Sequence, residues 1–109
     1  MQRVASLIHL SAARSLNLTG KGIGIAVFDT GIGRHPDLTL QNSRLKAFVD
    51  TVNHRPDFYD DNGHGTHITG IIAGNGNASR KRYERIAPDI RPKKTPAIIP
   101  TLPGIRSVA

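Results

Sequence analysis

The sequence predicts an α/β fold: an incomplete portion of a parallel sheet with helices, followed by an irregular basic C-terminal tail. Three observations predict it. The apolar run "IGIAVF" at 23–28 is bounded by turn residues and stops at Asp29, the pattern of a strand buried on both faces. The block "HGTHITGIIAG" from His64 reads as a helix set among glycines. Five of the seven prolines, Pro88, Pro92, Pro96, Pro100 and Pro103, fall near the C-terminus, and each removes a backbone donor and fixes φ.

The chain has 109 residues, room for one small domain with a thin core. Hydrophobic residues at 38% and charged residues at 21% suit a globular chain. There is no cysteine, which excludes disulfides and thiolate metal sites. The net charge of +7 is uneven. Through Ser79 seven basic residues face six acidic ones; from Arg80 onward eight face two. The basic excess is therefore a property of the tail. The expected division is a lead-in at 1–18 with helical potential, a central segment at 19–79, and a basic proline-rich tail at 80–109. The lead-in offers only Leu7, Ile8 and Leu10, broken by His9, too short a block for a signal peptide or a membrane span. A cytoplasmic location without membrane contact is the expectation.

In chain order, residues 6–18 are expected to form a short helix, and Thr19-Gly20-Lys21-Gly22 a turn. The strand at 23–28 follows. Residues 31–37, with two glycines, Pro36 and Asp37, read as loop. "RLKAFVD" at 44–50 alternates, which predicts a strand with Leu45, Ala47 and Val49 on one face and Lys46, Phe48 and Asp50 on the other. Residues 53–63 form a polar loop. A helix is expected from His64 through Ile68, Ile71 and Ile72 to Gly74, with a turn at 75–79. Gly70 inside that helix costs about 1 kcal/mol against alanine, which suggests tight packing on the sheet.

Two positions carry chemistry. Asp29 ends a buried strand, and ligands and catalytic groups collect at that edge of an open α/β sheet. Asp-Thr-Gly is equally a good turn. His64 opens the helix, and Gly63 and Gly65 leave room for close backbone approach. A histidine titrating near neutrality can take and return a proton, and a carboxylate bonded to one ring nitrogen fixes its tautomer. A lone histidine, His64 or His67, is more often an ordinary capped or buried residue.

The blocks Asp29-Thr30-Gly31, His35-Pro36-Asp37-Leu38 and His64-Gly65-Thr66-His67, in this order, resemble the subtilases, the subtilisin-like serine proteases. The resemblance covers roughly residues 17–90, and "FVDTVNHRPDFYDDNGHGTH" is closest in wording to the intracellular bacterial branch. It implies a subtilisin-like parallel-sheet sandwich and an Asp-His-Ser triad that cleaves peptide bonds. Asp29 would orient the imidazole and stabilise its cation; His64 would act as general base and then general acid. His67 has no triad role in the family and is expected to pack or hydrogen-bond on the helix.

The family's nucleophile lies in Gly-Thr-Ser-x-Ala. None of Ser6, Ser11, Ser15, Ser43, Ser79 and Ser107 has that context. Arg85 in "RYERIAPD" stands where the family usually has glycine, and after Ile90 the text departs altogether. A truncated or frameshifted product, inactive alone and marginally stable until another segment completes it, is the expectation. A second polypeptide carrying the serine half remains an open partner beside the peptide or protein substrate.

Two other readings stand beside this one. His64 and His67, three apart, with Asp29, Asp60 and Asp61 as oxygen donors, would suit a metal-dependent hydrolase, although the usual zinc-protease signature spaces its histidines four apart. The basic run Arg80, Lys81, Arg82, Arg85, Arg91, Lys93 and Lys94 would suit a non-enzymatic binder of nucleic acid or another acidic surface; a solvated tail is the plainer reading, and nucleic acid is not the expected partner. No cofactor is expected. The resemblance allows calcium near Asp37, without a set of residues to hold it.

Overall fold

The computed structural model describes residues 2–40, 43–80, 85–90 and 106–108. The chain opens with two short helices, α1 (Gln2–Leu7) and α2 (Leu10–Ser15), in place of the single helix expected over 6–18. The break is local. His9 takes a left-handed conformation with φ 52°, and Asn17 ends the second helix with φ 57°. Neither helix is anchored by a buried apolar stripe: Leu7 is 78% exposed and Leu16 is 72% exposed, and a helix this short gains most of its stability from packing.

The turn at 19–22 forms as expected, with Gly20 and Gly22 at positive φ. It is tied to the far end of the described chain: the Asp89 N–H donates to the Thr19 carbonyl at 3.0 Å, and Lys21 makes an antiparallel bridge with Ile90. The strand expected at 23–28 is not a regular strand here. Val27 is buried, but Ile23 and Phe28 are about half exposed. A strand of this composition needs neighbours on both edges and cover on both faces. The only sheet among the described residues is two-stranded and antiparallel, and does not include it.

Residues 31–35 form a loop, and then a short helix, α3 (Pro36–Thr39), forms where loop was expected to continue through 37. Its start is well specified. Pro36 takes the first helical position, where its missing N–H costs nothing. The His35 Nδ1 accepts the Asp37 N–H at 3.2 Å, as a capping side chain. Leu38 and Asp37 are buried.

β1 (Ala47–Asp50) pairs with β2 (Arg106–Val108). The strand at 44–50 is thus shorter than expected, and its faces are exchanged: Asp50 is buried, while Val49 is 43% exposed. The pairing explains this. Ala47 faces Val108 and Asp50 faces Arg106, so β1 carries one extra residue over that interval. Such a bulge reverses which side chains face inward beyond it. Phe48 packs on Phe58 with ring centroids 5.3 Å apart and meets Tyr59 edge-on at 5.8 Å. β2 also corrects the tail, which is not irregular throughout. The tail expectations for Lys81, Arg82, Arg91, Lys93 and Lys94 lie outside the described residues.

Asp50 then shapes the following loop. Its Oδ1 accepts from the N–H groups of Val52 and Asn53 at 2.9 and 3.0 Å, and its Oδ2 accepts from Arg55 N–H at 3.3 Å and from the Tyr59 hydroxyl.

α4 (His64–Ala73) has the bounds the sequence predicts, with Gly63 before it at φ 91° and Gly74 after it. Its last carbonyls are taken by an incoming segment: Ile86 N–H donates to Ile71 O at 3.2 Å and Ala87 N–H to Ile72 O at 2.8 Å. Gly70 does not have the expected tight packing, since a Cβ there would meet nothing within 4 Å. The close approaches are at Gly65 and Gly74. A 3-10 turn (Asn77–Ser79) follows. The core comprises Val27, Ile32, Leu38, Leu45, Ala73 and Ile90, with Ile25, Phe58, Ile68, Ile72 and Ala87 against it. Among the described residues no helix is long and apolar enough to cross a membrane.

Ile32 is fully buried in this core. Ile32→Val should lower stability by about 0.5–1.5 kcal/mol, read as a lower urea midpoint with an unchanged slope.

Candidate active site

The turn at 29–33 and the first turn of α4 meet face to face. Gly65 is buried, and a Cβ there would strike the Gly31 carbonyl and lie 3.1 Å from the Asp29 Cβ. Gly31 has φ 145° and leaves no room for a side chain, because the Tyr59 carbonyl occupies that space. Two glycines thus let two backbones touch. Ile32 N–H donates to Tyr59 O at 3.1 Å, which ties the turn to the strand of chain that leads into α4.

This contact brings Asp29 and His64 together. The His64 Nδ1 lies 2.7 Å from Asp29 Oδ1 and 2.9 Å from Oδ2. Thr30 N–H donates to Asp29 Oδ1 at 2.7 Å. Burial alone would raise the Asp29 carboxyl, but the bond from His64 and the Thr30 N–H outweigh it and hold it below the ordinary value. An ionised carboxylate can only accept, so the His64 Nδ1 must carry the proton. In the neutral ring that leaves Nε2, on the far edge, as the free base. The His64 side chain is 59% exposed and that of Asp29 14%. The ring is therefore aimed by a buried anion while its working edge stays accessible.

A third carboxylate organises the surroundings. Asp60 Oδ1 accepts from Thr30 Oγ1 at 2.9 Å and from the N–H groups of Gly63 and Asn62 at 2.9 and 3.2 Å. Asp60 Oδ2 accepts from Thr66 N–H at 2.8 Å and Thr66 Oγ1 at 2.6 Å. Burial would raise this carboxyl too, but the donors from Thr66, Gly63 and Thr30 bring it down to about 2. The sequence reading treated Asp60 only as an oxygen donor for a metal. Its position four residues before the helix start was the missed signal, since an acidic residue there can accept the unpaired N–H groups of the first turn.

His67 is exposed and reaches neither Asp29 nor His64. It lines a cavity of about 550 Å³ beside α4, together with His35, Thr66, Ile71 and Arg85. Among the described residues no group of three His, Cys, Asp or Glu side chains could hold a metal ion. Asp60 is engaged by five donors and does not converge with His64 and His67 on one point. Asp37 is likewise used internally: its Oδ1 accepts the Ala78 N–H at 2.6 Å, so the residues near it do not fit a calcium site. No serine hydroxyl among the described residues bonds the His64 ring.

Asp50 and Asp60 both stay ionised in the folded chain well below the ordinary carboxylate range. Between about pH 4, where an unfolded aspartate takes up its proton, and about pH 2, the unfolded chain binds more protons than the folded one. Their contribution is complete above that window and is lost as pH falls through it. Urea midpoints should drop from neutrality to about pH 3, and Asp60→Asn should make the drop smaller.

The model of the subtilase family matches residues 20–91, more than half of the chain. Over 72 residues the chain is 50% identical to the serine protease AprX of Bacillus subtilis (strain 168), covering 66% of this chain and 16% of that protein. It is 41% identical over 73 residues to subtilisin Savinase of Lederbergia lenta, covering 67% of this chain and 25% of the relative. The thermostable alkaline protease of Halalkalibacterium halodurans is 38% identical over 73 residues, with 67% and 19% covered. The chain therefore spans a quarter or less of the length of these curated relatives. No solved structure gives a significant match. The matched stretch includes both Asp29 and His64, and the chain belongs to the subtilase family.

Proposed function

We propose that this chain carries the aspartate–histidine part of a subtilisin-type triad for peptide-bond hydrolysis, with Asp29 and His64 as the catalytic pair. The observation that carries the reading is the 2.7 Å contact between His64 Nδ1 and Asp29 Oδ1, with the histidine side chain more than half exposed. That arrangement gives a general base of fixed tautomer. Its Nε2 would take the proton from a serine hydroxyl as the oxygen attacks a peptide carbonyl. The Asp29 anion would stabilise the imidazolium formed, and the same proton would then pass to the leaving amine. Water would repeat the sequence on the acyl-serine. The substrate is a peptide or protein, and the complete enzyme would have the parallel-sheet sandwich of its family.

The serine must come from elsewhere, because none of the six serines stands in Gly-Thr-Ser-x-Ala. A complementing segment that carries that block is the required partner, and the chain alone is inactive. In subtilisin, the measured case in this family, loss of the serine or the histidine costs about 10⁶ in turnover, and the same order is expected here.

Purified chain on casein or a chromogenic peptide should give no serine-type turnover. Addition of a polypeptide carrying the Gly-Thr-Ser-x-Ala region of a subtilase should produce it, and His64→Ala should abolish it. Hydrolysis by the chain alone that is indifferent to His64→Ala would overturn the reading.

A further inference from the structure

The His64 ring is more than half exposed, and its hydrogen bonds among the described residues run to Asp29. Packing therefore does little to hold the ring. Its distance from Asp29 is set by how the turn at 29–33 and the start of α4 are fixed to one another.

Two threonine hydroxyls span that junction, and both use Asp60. Thr30 Oγ1 donates to Asp60 and accepts the Gly65 N–H at 3.0 Å. Thr66 Oγ1 donates to Asp60 and accepts the Gly33 N–H at 2.8 Å. Each hydroxyl thus comes from one element and receives an amide from the other. A hydroxyl has a single proton to give, and a carboxylate can only accept. The charge on Asp60 therefore settles the direction of both chains: protons point to Asp60, and the oxygen lone pairs are left for the amides of Gly65 and Gly33. An amide side chain in place of Asp60 would accept at one end but present N–H groups at the other. One threonine would then have to turn its proton away, and one backbone amide would lose its acceptor.

We infer that Asp60 is a positioning residue for the Asp29–His64 pair: through Thr30 and Thr66 it clamps the aspartate turn to the histidine helix and so sets the bond at His64 Nδ1. The clamp rests on the reading of that pair as the base half of the triad, but it concerns geometry within this chain and can be tested without turnover. Thr30 directly follows Asp29, and Gly65 directly follows His64, so a shift at the clamp passes to both side chains with one residue of backbone between. Charge-assisted hydrogen bonds are about twice as strong as neutral ones, which suits the carboxylate for this place.

The test is nuclear magnetic resonance of the full chain, reading the low-field Nδ1–H proton of His64, its tautomer from the ring nitrogen shifts, and the carboxyl titration of Asp29. Asp60→Asn and Thr66→Val should keep the dispersed amides of α4 yet lose the Nδ1–H signal, and the Asp29 carboxyl should move up toward its ordinary value. Thr66→Ser, which keeps the hydroxyl, should behave as the parent chain. A folded Asp60→Asn chain with an unchanged signal and an unchanged Asp29 titration overturns the inference, as does a Thr66→Val chain indistinguishable from Thr66→Ser. If Asp60→Asn does not fold, the two Thr66 variants decide. Failure of serine-half complementation with these resonance results intact would remove the proposed function and leave the clamp standing.

Discussion

The backbone of Gly65 rests against the backbone of Gly31, and the site takes its shape from that contact. A methyl group at either position would push the helix start away from the aspartate turn, because the atoms in the way are main-chain carbonyls that cannot rotate aside. With the contact made, the N-terminal end of α4 faces the Asp29 carboxylate. The partial positive charge of a helix start favours an anion there. The ring of His64, on the first helical residue, then meets that anion without help from a buried pocket.

Three aspartates serve three purposes in this small fold, and their surroundings explain the difference. Asp29 bonds a side chain that can itself change charge, and so remains coupled to the chemistry. Asp50 is buried and gathers backbone amides of the next loop together with the Tyr59 hydroxyl. Asp60 gathers amides and two hydroxyls across the junction of turn and helix. Buried carboxylates are tolerated only when their lone pairs are filled, and each of these is filled by its own neighbourhood. The apolar core is small, so the order around the site comes largely from these polar networks.

Sequence alone exposed the site better than the fold. Asp29 and His64 were legible because each sits in a short motif whose glycines have a steric reason. The bounds of α4 were legible because glycines flank an apolar block on both sides. The strand at 23–28 was misread because an apolar run states a wish for partners and not their presence. The faces of β1 were misread because one extra residue against β2 reverses the alternation, and no local signal announces a bulge. Gly70 was given a packing reason that belongs to Gly65. The helix at 6–18 is interrupted by a left-handed His9, which propensity does not foresee. Asp60 was overlooked as a clamp because its partners come from residues 30 and 66, six to thirty positions away.

The loop after β1 is held by Asp50 through the amides of Val52, Asn53 and Arg55. Those donors belong to the main chain and would be present whatever side chains stood at 52, 53 and 55, proline excepted. Evolution is thereby given a stretch of surface whose path is inherited from one acid while its chemical character is free to drift. Two descendants of such a protein could carry very different residues on that rim and still deliver Tyr59 and Asp60 to the same places.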